Sequence, residues 1–324
     1  MTFIASVVAK KGVAIIADSL VTSQSSILYY RSFLEYIEAQ PNNEQGEKVI
    51  NSEEIRQLFS SEPIFTKDFE EKLFEINRYT ALTTSGTAYI NDKSISDLIE
   101  EFRFQNLDHI DDMAISIDEK ISQFSDFIDQ HARAQLQKYN YIGHCVFIVT
   151  YYEKHTHTTH IYKANIQEAD LDALEDPDYK YLTVRKESDW VSVVFEGQNK
   201  ISEKILYGAG IEIYRLFPEL VTEIINKLNI QPENIPDHFI ETLREEPFFY
   251  EIFYGDLELL NLNNLSLQQA VDLAALLMRL EVDFQRYTKN IPTVGGVIKL
   301  AVIDENGFRF ISGHQIEVPK HINY

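Results

Sequence analysis

Residues 1–19 read MTFIASVVAKKGVAIIADS. From Thr2 to Ala9 and again from Val13 to Ala17 the chain is apolar and rich in β-branched residues. Both properties favour extended backbone. The two runs are split by Lys10-Lys11-Gly12, a short polar break whose glycine suits a tight turn. The reading is a β-hairpin with Asp18 directly after its second strand and Thr2 directly before its first. A surface hairpin needs neither an acid at the end of an apolar strand nor a hydroxyl at its start. The pair therefore points to a site built from the first strands of the chain. The apolar start FIASVVA has no basic residue ahead of it and two lysines where a processing site would sit, so it reads as a strand and not as an export signal.

Working outward, residues 24–70 are polar and acidic, with PNNEQGE at 41–47, and are expected to form an elaborated loop with short helical pieces such as Ser52–Phe59. The block KLFEINRYTALTTSGTAYIND, 72–92, reads as two short strands that break at Ser85-Gly86-Thr87 and lead into a helix. Ile95, Leu98, Ile99 and Phe102 recur at helical spacing, as do Ile117, Ile121, Phe124 and Ile128. Residues 141–152 and 158–164 pair as strands, 167–178 is an acidic loop, and 180–196, with Trp190, holds further strands. The segment 204–217 is expected to run from a strand through the Gly-rich turn YGAG into a helix. A second elaborated stretch spans about 228–264. Ser266 and Gln269 form a capping box ahead of a helix over 267–286, and the chain closes on a hairpin turned at Asn306-Gly307. A hairpin near each end with paired helices between suggests two stacked sheets with helices on both outer faces. One domain over 1–324 with two insertions, at about 24–70 and 228–264, is the expected organisation.

Composition narrows the function. There are 29 Lys+Arg against 51 Asp+Glu, for a formal net charge of −22. Such a chain is repelled by nucleic acid and by anionic membrane surfaces, so neither is an expected partner. No apolar run reaches the roughly 18–20 residues of a membrane span. The single cysteine, Cys145, lies in the apolar run HCVFIVTYY, excludes an internal disulfide framework and fits core packing in a reducing, cytoplasmic setting. HTHTTH at 155–160 places His155 and His157 on one strand face. Without a carboxylate or cysteine at ligand spacing it reads as a hairpin tip and not as a metal site.

The first block resembles the amino terminus of proteasome β-subunits and of related bacterial self-compartmentalising peptidases, which run Thr, strand, Gly turn, strand, Ala-Asp-Ser, with the Asp sixteen residues after the threonine. Thr2 and Asp18 have that spacing. KLFEINRYTALTTSGTA resembles the family's second block, which puts its lysine on Lys72 and its oxyanion-hole glycine on Gly86. YGAG at 207–210 resembles the family's Gly-Ser-Gly turn, and the helix 267–286 followed by VGGVIKL resembles its last helix and Gly-Gly strand.

The resemblance implies an N-terminal-nucleophile hydrolase: an α+β, four-layer αββα sandwich of two stacked antiparallel sheets with helices on both faces. It implies a threonine-type peptidase whose nucleophile is Thr2, freed by removal of Met1, with its own amine as base. Lys72 would favour the deprotonated form, Asp18 would hold Lys72, and the Gly86 N–H would bind the oxyanion. Thr22, Thr84 and Ala88 would line the peptide groove. The implied partners are a peptide or protein substrate, further copies of the chain in a closed homo-oligomer, and an unfoldase of unknown identity. No cofactor or metal is called for. Three positions depart from the family: its turn serine is Ala209, and the aspartate and serine before its Gly-Gly strand fall on Ile291 and Val294. Those departures leave a non-catalytic structural or interaction protein as an alternative, and the wider N-terminal-nucleophile class adds a small-molecule amidase.

Overall fold

Strand alternation at the start of the chain sorts side chains into two different cores. The computed structural model describes all residues except 1, 44, 68, 113, 167–170, 177, 188–191, 209–210, 232–234, 237–238, 244–261, 289–291 and 313–324. The chain opens with β1 (Phe3–Ala9), β2 (Gly12–Ala17) and β3 (Val21–Leu28), then α1 (Tyr30–Ala39), α2 (Ser52–Gln57) and β4 (Phe59–Lys67). Next come β5 (Leu73–Asn77), β6 (Thr80–Gly86), the short pair β7 (Tyr89–Ile90) and β8 (Lys93–Ser94), and the helices α3 (Ile95–Gln105), α4 (Leu107–Asp111) and α5 (Ile117–Tyr139). They are followed by β9 (Cys145–Glu153), β10 (Thr158–Ile166), β11 (Leu182–Lys186) and β12 (Val193–Gly197). The last elements are α6 (Lys200–Tyr207), α7 (Ile211–Lys227), α8 (Phe239–Thr242), α9 (Leu267–Gln285), β13 (Lys299–Asp304) and β14 (Gly307–Ser312).

Two five-stranded antiparallel sheets result, ordered β12-β1-β2-β13-β14 and β11-β10-β9-β6-β5. In β1 and β2, Phe3, Ala5, Val7, Ala14 and Ile16 pack with α6 and α9 residues such as Leu206, Ala274 and Leu277. Their alternates Ile4, Val13, Ile15 and Ala17 pack with Leu73, Ala81, Ile148 and Ile161 of the other sheet. The opposite face of that second sheet, with Leu82, Phe147 and Ala164, packs on Leu98, Ile99, Phe124 and Ile128 of α3 and α5. Period-2 alternation in fully buried strands is thus divided between a helix-facing and a sheet-facing core. Polar links between the facing sheets include Ser6 Oγ with Thr150 Oγ1, 2.9 Å apart, and the Lys163–Glu196 ion pair between β10 and β12. The class is mixed α+β.

The helices start where the sequence places caps. Ser94 and Ser116 accept from the N–H three residues on, and Ser266 with Gln269 makes a full capping box. The last hairpin turns one residue earlier than expected, at Glu305-Asn306, because Gly307 already pairs with Asp304 as the first residue of β14. Among the described residues no helix is long and apolar enough to cross a membrane.

Two further segments differ from expectation. Residues 24–70 are not a loop with short helices alone: Val21–Leu28 and Phe59–Lys67 pair as a separate two-stranded sheet whose ends enclose α1 and α2. The register shift between Ser23 and Gln24 lies opposite Pro63, which has no N–H for a ladder bond. Residues 204–207 are not a strand but the second half of α6. The α6 start is satisfied from outside its own sequence: the buried Glu281 carboxylate of α9 accepts from the N–H groups of Ile201 and Ser202 at 2.9 and 2.7 Å. Burial pushes that carboxyl's pKa up, against the opposing hydrogen bonds. Trp190 lies outside the described residues.

Candidate active site

Thr2 enters the structure through β1, the second strand of its sheet. Phe3 pairs with Gly197 of β12, and the Thr2 carbonyl accepts from Gln198 N–H at 2.5 Å. Gly197 has φ +92°, and a Cβ there would lie 2.0 Å from the Thr2 carbonyl oxygen. Only glycine lets this turn close on Thr2. Gly197→Ala is therefore expected to cost more than about 2 kcal/mol, because strain at a positive φ adds to displacement of Thr2. Denaturant unfolding checks the cost; an unchanged midpoint would show that the turn relaxes freely.

Asp18 follows β2 and is tied back to β1 by its own N–H, which donates to Phe3 O at 3.2 Å. Its Oδ1 accepts from Thr2 Oγ1, from Phe3 N–H at 3.2 Å and from Lys72 Nζ at 2.9 Å. Its Oδ2 accepts from Gly295 N–H at 3.0 Å. Lys72 arrives just ahead of β5. Its ammonium donates to Thr2 Oγ1, to Asp18 and to Leu20 O at 2.6 Å, which uses all three of its N–H donors. Thr2 and Asp18 are each 2% exposed and Lys72 8%. Burial lowers the Lys72 pKa, and the Asp18 carboxylate opposes that shift. The group is a buried, paired charge cluster with a hydroxyl at its centre.

Thr2 and Lys72 line a cleft of about 540 Å³. Its walls include Thr22, Thr84, Gly86 and Ala88, so the cleft brings Thr2 and Lys72 together with the residues expected to supply the oxyanion hole and the groove; Asp18 is bonded to both Thr2 and Lys72. Thr22 Oγ1 is buried without a hydrogen-bond partner among the described residues. Thr84 Oγ1 lies 3.7 Å from Cys145 Sγ on β9. That thiol is fully enclosed, and burial pushes its pKa up to about 12, as expected of a core cysteine. Gly86 has φ +102°, and a Cβ there would sit 2.2 Å from His144 O. The close approach that glycine permits here is that of the β9 strand.

Of the Gly-rich turn YGAG, Tyr207 and Gly208 are described, and Gly208 ends α6 in the left-handed conformation. The described turn beside Thr2 is Gly197-Gln198, from β12 into α6. Ala209 and Ile291 lie outside the described residues. Val294 is buried among apolar side chains, and its N–H donates to Gln285 Oε1 at 3.1 Å. The polar groups nearest this loop were not legible in the sequence. Thr293 Oγ1 donates to Gln198 Oε1, and Gln285 Oε1 accepts from Thr293 N–H at 2.5 Å. A strand ending in Gly directly before a helix, FEGQNK, is the one local sign that was available.

At the hairpin tip, Tyr152 Oη and His157 Nδ1 are 2.8 Å apart, and His160 Nε2 lies 3.5 Å from Glu153. Among the described residues no group of three or more His, Cys, Asp or Glu side chains is placed to hold a metal. In comparison with known proteins, no family model matches the chain and no curated protein matches it.

Proposed function

We propose that the chain is an N-terminal-nucleophile hydrolase: a threonine-type amide hydrolase with the four-layer αββα sandwich, acting on peptides in a closed homo-oligomer. One observation carries the reading. Thr2 Oγ1, the Lys72 ammonium and the Asp18 carboxylate are buried and mutually hydrogen-bonded, with Thr2 and Lys72 facing one cleft.

The chemistry follows from these groups. With Met1 attached the Thr2 nitrogen is a peptide nitrogen and accepts no proton; the hydroxyl itself donates to Asp18. Removal of Met1 creates an amine beside the hydroxyl. That amine takes the Oγ1 proton as Oγ1 attacks the substrate carbonyl, while Lys72 lowers the cost of negative charge on the oxygen. The carbonyl oxygen becomes an oxyanion held by a backbone N–H, assigned to Gly86. Collapse breaks the C–N bond, the proton passes to the leaving amine, and an ester on Thr2 is left. Water, deprotonated by the same amine, then hydrolyses that ester. A second reading, a sandwich retained without catalysis, draws on Val294, whose side chain offers no hydrogen bond where the family has serine.

The test is an intact-mass spectrum before and after incubation with a peptide epoxyketone, which forms a stable ring only from a free N-terminal hydroxyl and amine together. The expected result is a starting mass lacking Met1 and one adduct mapped to Thr2. Retained Met1 in native material would overturn the mechanism. A processed but unlabelled Thr2 would favour the non-catalytic reading.

A further inference from the structure

The hydroxyl, the carboxylate and the ammonium of the site are each steadied by backbone atoms, and those atoms trace back to one buried amide. Asp18 Oδ2 accepts from Gly295 N–H at 3.0 Å. The Gly295 carbonyl accepts from Ser19 and Leu20 N–H at 3.1 and 3.0 Å. Leu20 O in turn accepts from the Lys72 ammonium at 2.6 Å. The Thr2 carbonyl accepts from Gln198 N–H, and the Gln198 side chain accepts from the Thr293 hydroxyl. Thr2, Asp18 and Lys72 thus all lean on residues 293–295.

That loop lies outside any strand or helix, yet Thr293 and Val294 are buried. Buried backbone donors without a ladder need a partner from elsewhere. One side chain serves both: Gln285 Oε1 accepts from Thr293 N–H at 2.5 Å and from Val294 N–H at 3.1 Å. Gln285 is itself buried and is fixed at its other end, where Nε2 donates to Glu281 O at 3.1 Å. Its amide has one orientation, because the oxygen faces donors and the nitrogen faces an acceptor. One turn back on α9, the Glu281 carboxylate accepts from Ile201 and Ser202 N–H in the first turn of the helix that follows Gln198. Two side chains on one turn of α9 therefore set both segments that reach the site, 198–202 and 293–295.

We propose that Gln285 is a positioning residue for the hydrolase. It lies outside the cleft lining and acts by fixing the loop against which Thr2 and Asp18 are placed. Its effect on rate rests on the hydrolase reading, but its hold on the loop is measurable without turnover.

Two shape-matched variants separate this role from bulk. Gln285→Met keeps the side-chain length and removes the acceptor, and Gln285→Glu keeps an oxygen for the two N–H groups. Gln285→Met is expected to lower kcat for a fluorogenic peptide about 10²-fold, the scale of an ångström-sized misplacement, with KM within about twofold. Gln285→Glu is expected to recover about tenfold or more of that loss. Amide hydrogen exchange is read on the same proteins. In Gln285→Met the Gln198 and Gly295 N–H groups should exchange about tenfold faster, while those of Phe147 and Ala164 in the other sheet keep their wild-type rates. If Gln285→Met fails to fold, Thr293→Val decides instead. It removes the hydroxyl bonded to Gln198, keeps the branched shape, and is expected to lower kcat about tenfold and speed exchange at Gln198. Unchanged kcat in an active protein, or a fall that Gln285→Glu shares in full, would overturn the proposal and leave the hydrolase reading standing. Faster exchange at both N–H groups, with no hydrolysis by the wild-type protein, keeps the hold on the loop and sinks the hydrolase reading. No hydrolysis together with unchanged exchange sinks both.

Discussion

Thr2→Ala is expected to lower peptide hydrolysis by about 10⁴-fold or more, the scale on which loss of a covalent nucleophile is felt. The argument is geometric. The Thr2 hydroxyl accepts from Lys72 and donates to Asp18. Among the described residues no other hydroxyl is bonded to both Lys72 and Asp18, so none replaces it. The substitution leaves the Lys72–Asp18 bond of 2.9 Å in place. The stability cost is accordingly moderate, about 1.5–3 kcal/mol, the scale of a hydrogen bond to a charged group. Thr2→Ser keeps an oxygen and an amine on adjacent carbons and is expected to retain measurable turnover and epoxyketone labelling. Steady-state hydrolysis of a fluorogenic peptide, run beside thermal unfolding, separates loss of chemistry from loss of fold. A Thr2→Ala protein that turns over at the wild-type rate would remove Thr2 from the mechanism.

Lys72→Met should damage both chemistry and stability, for one reason. The methionine keeps the bulk of the side chain but removes the cation, and the Asp18 side chain is 0% exposed. A buried carboxylate deprived of its ion partner typically costs about 3–5 kcal/mol. Adding Asp18→Asn removes the stranded charge as well, and the double variant is expected to regain most of that stability while hydrolysis stays low. Denaturant unfolding and the rate of Thr2 labelling, measured on both variants, test this. Recovery of labelling in the double variant would show that the lysine charge is structural only. Burial lowers the Lys72 pKa. Its ammonium is thus neutralised at lower pH than an ordinary lysine, and the alkaline loss of activity is expected to begin below the usual lysine range. Full activity well above that range would exclude a charged Lys72.

The parts of this site that lie in regular strands were legible from the sequence; the parts set by distant packing were not. Thr2 and Asp18 bracket a hairpin whose alternation is local, and Lys72 and Gly86 flank the next pair of strands. Residues 204–207 misled because KILY is short, apolar and compatible with either state. Their helix is capped by Glu281, which lies 79 residues beyond Ser202 and leaves no trace in a local window. The β3–β4 pair was hidden for a different reason: SQSSIL and SSEPIF have no apolar alternation to mark a buried face. Gln198 and Thr293, 95 residues apart, meet only because α6 and the loop after α9 converge beside β1.

The order in which these neighbours leave the ribosome has a consequence for maturation. Thr2 is held by Gln198 and lies against Gly197, while Asp18 is held by Gly295. At roughly 5–20 residues per second, the turn at 197–198 emerges about 10–40 s after Thr2, and residue 295 later still. Throughout that interval the first strand has neither its β12 partner nor the C-terminal loop to bury it. On the proposed mechanism, a methionine-removing enzyme would meet Met1 while that strand is still open, whereas in the finished fold Thr2 is 2% exposed. The interval for unmasking the proposed nucleophile would then be set by the length of chain still to be made.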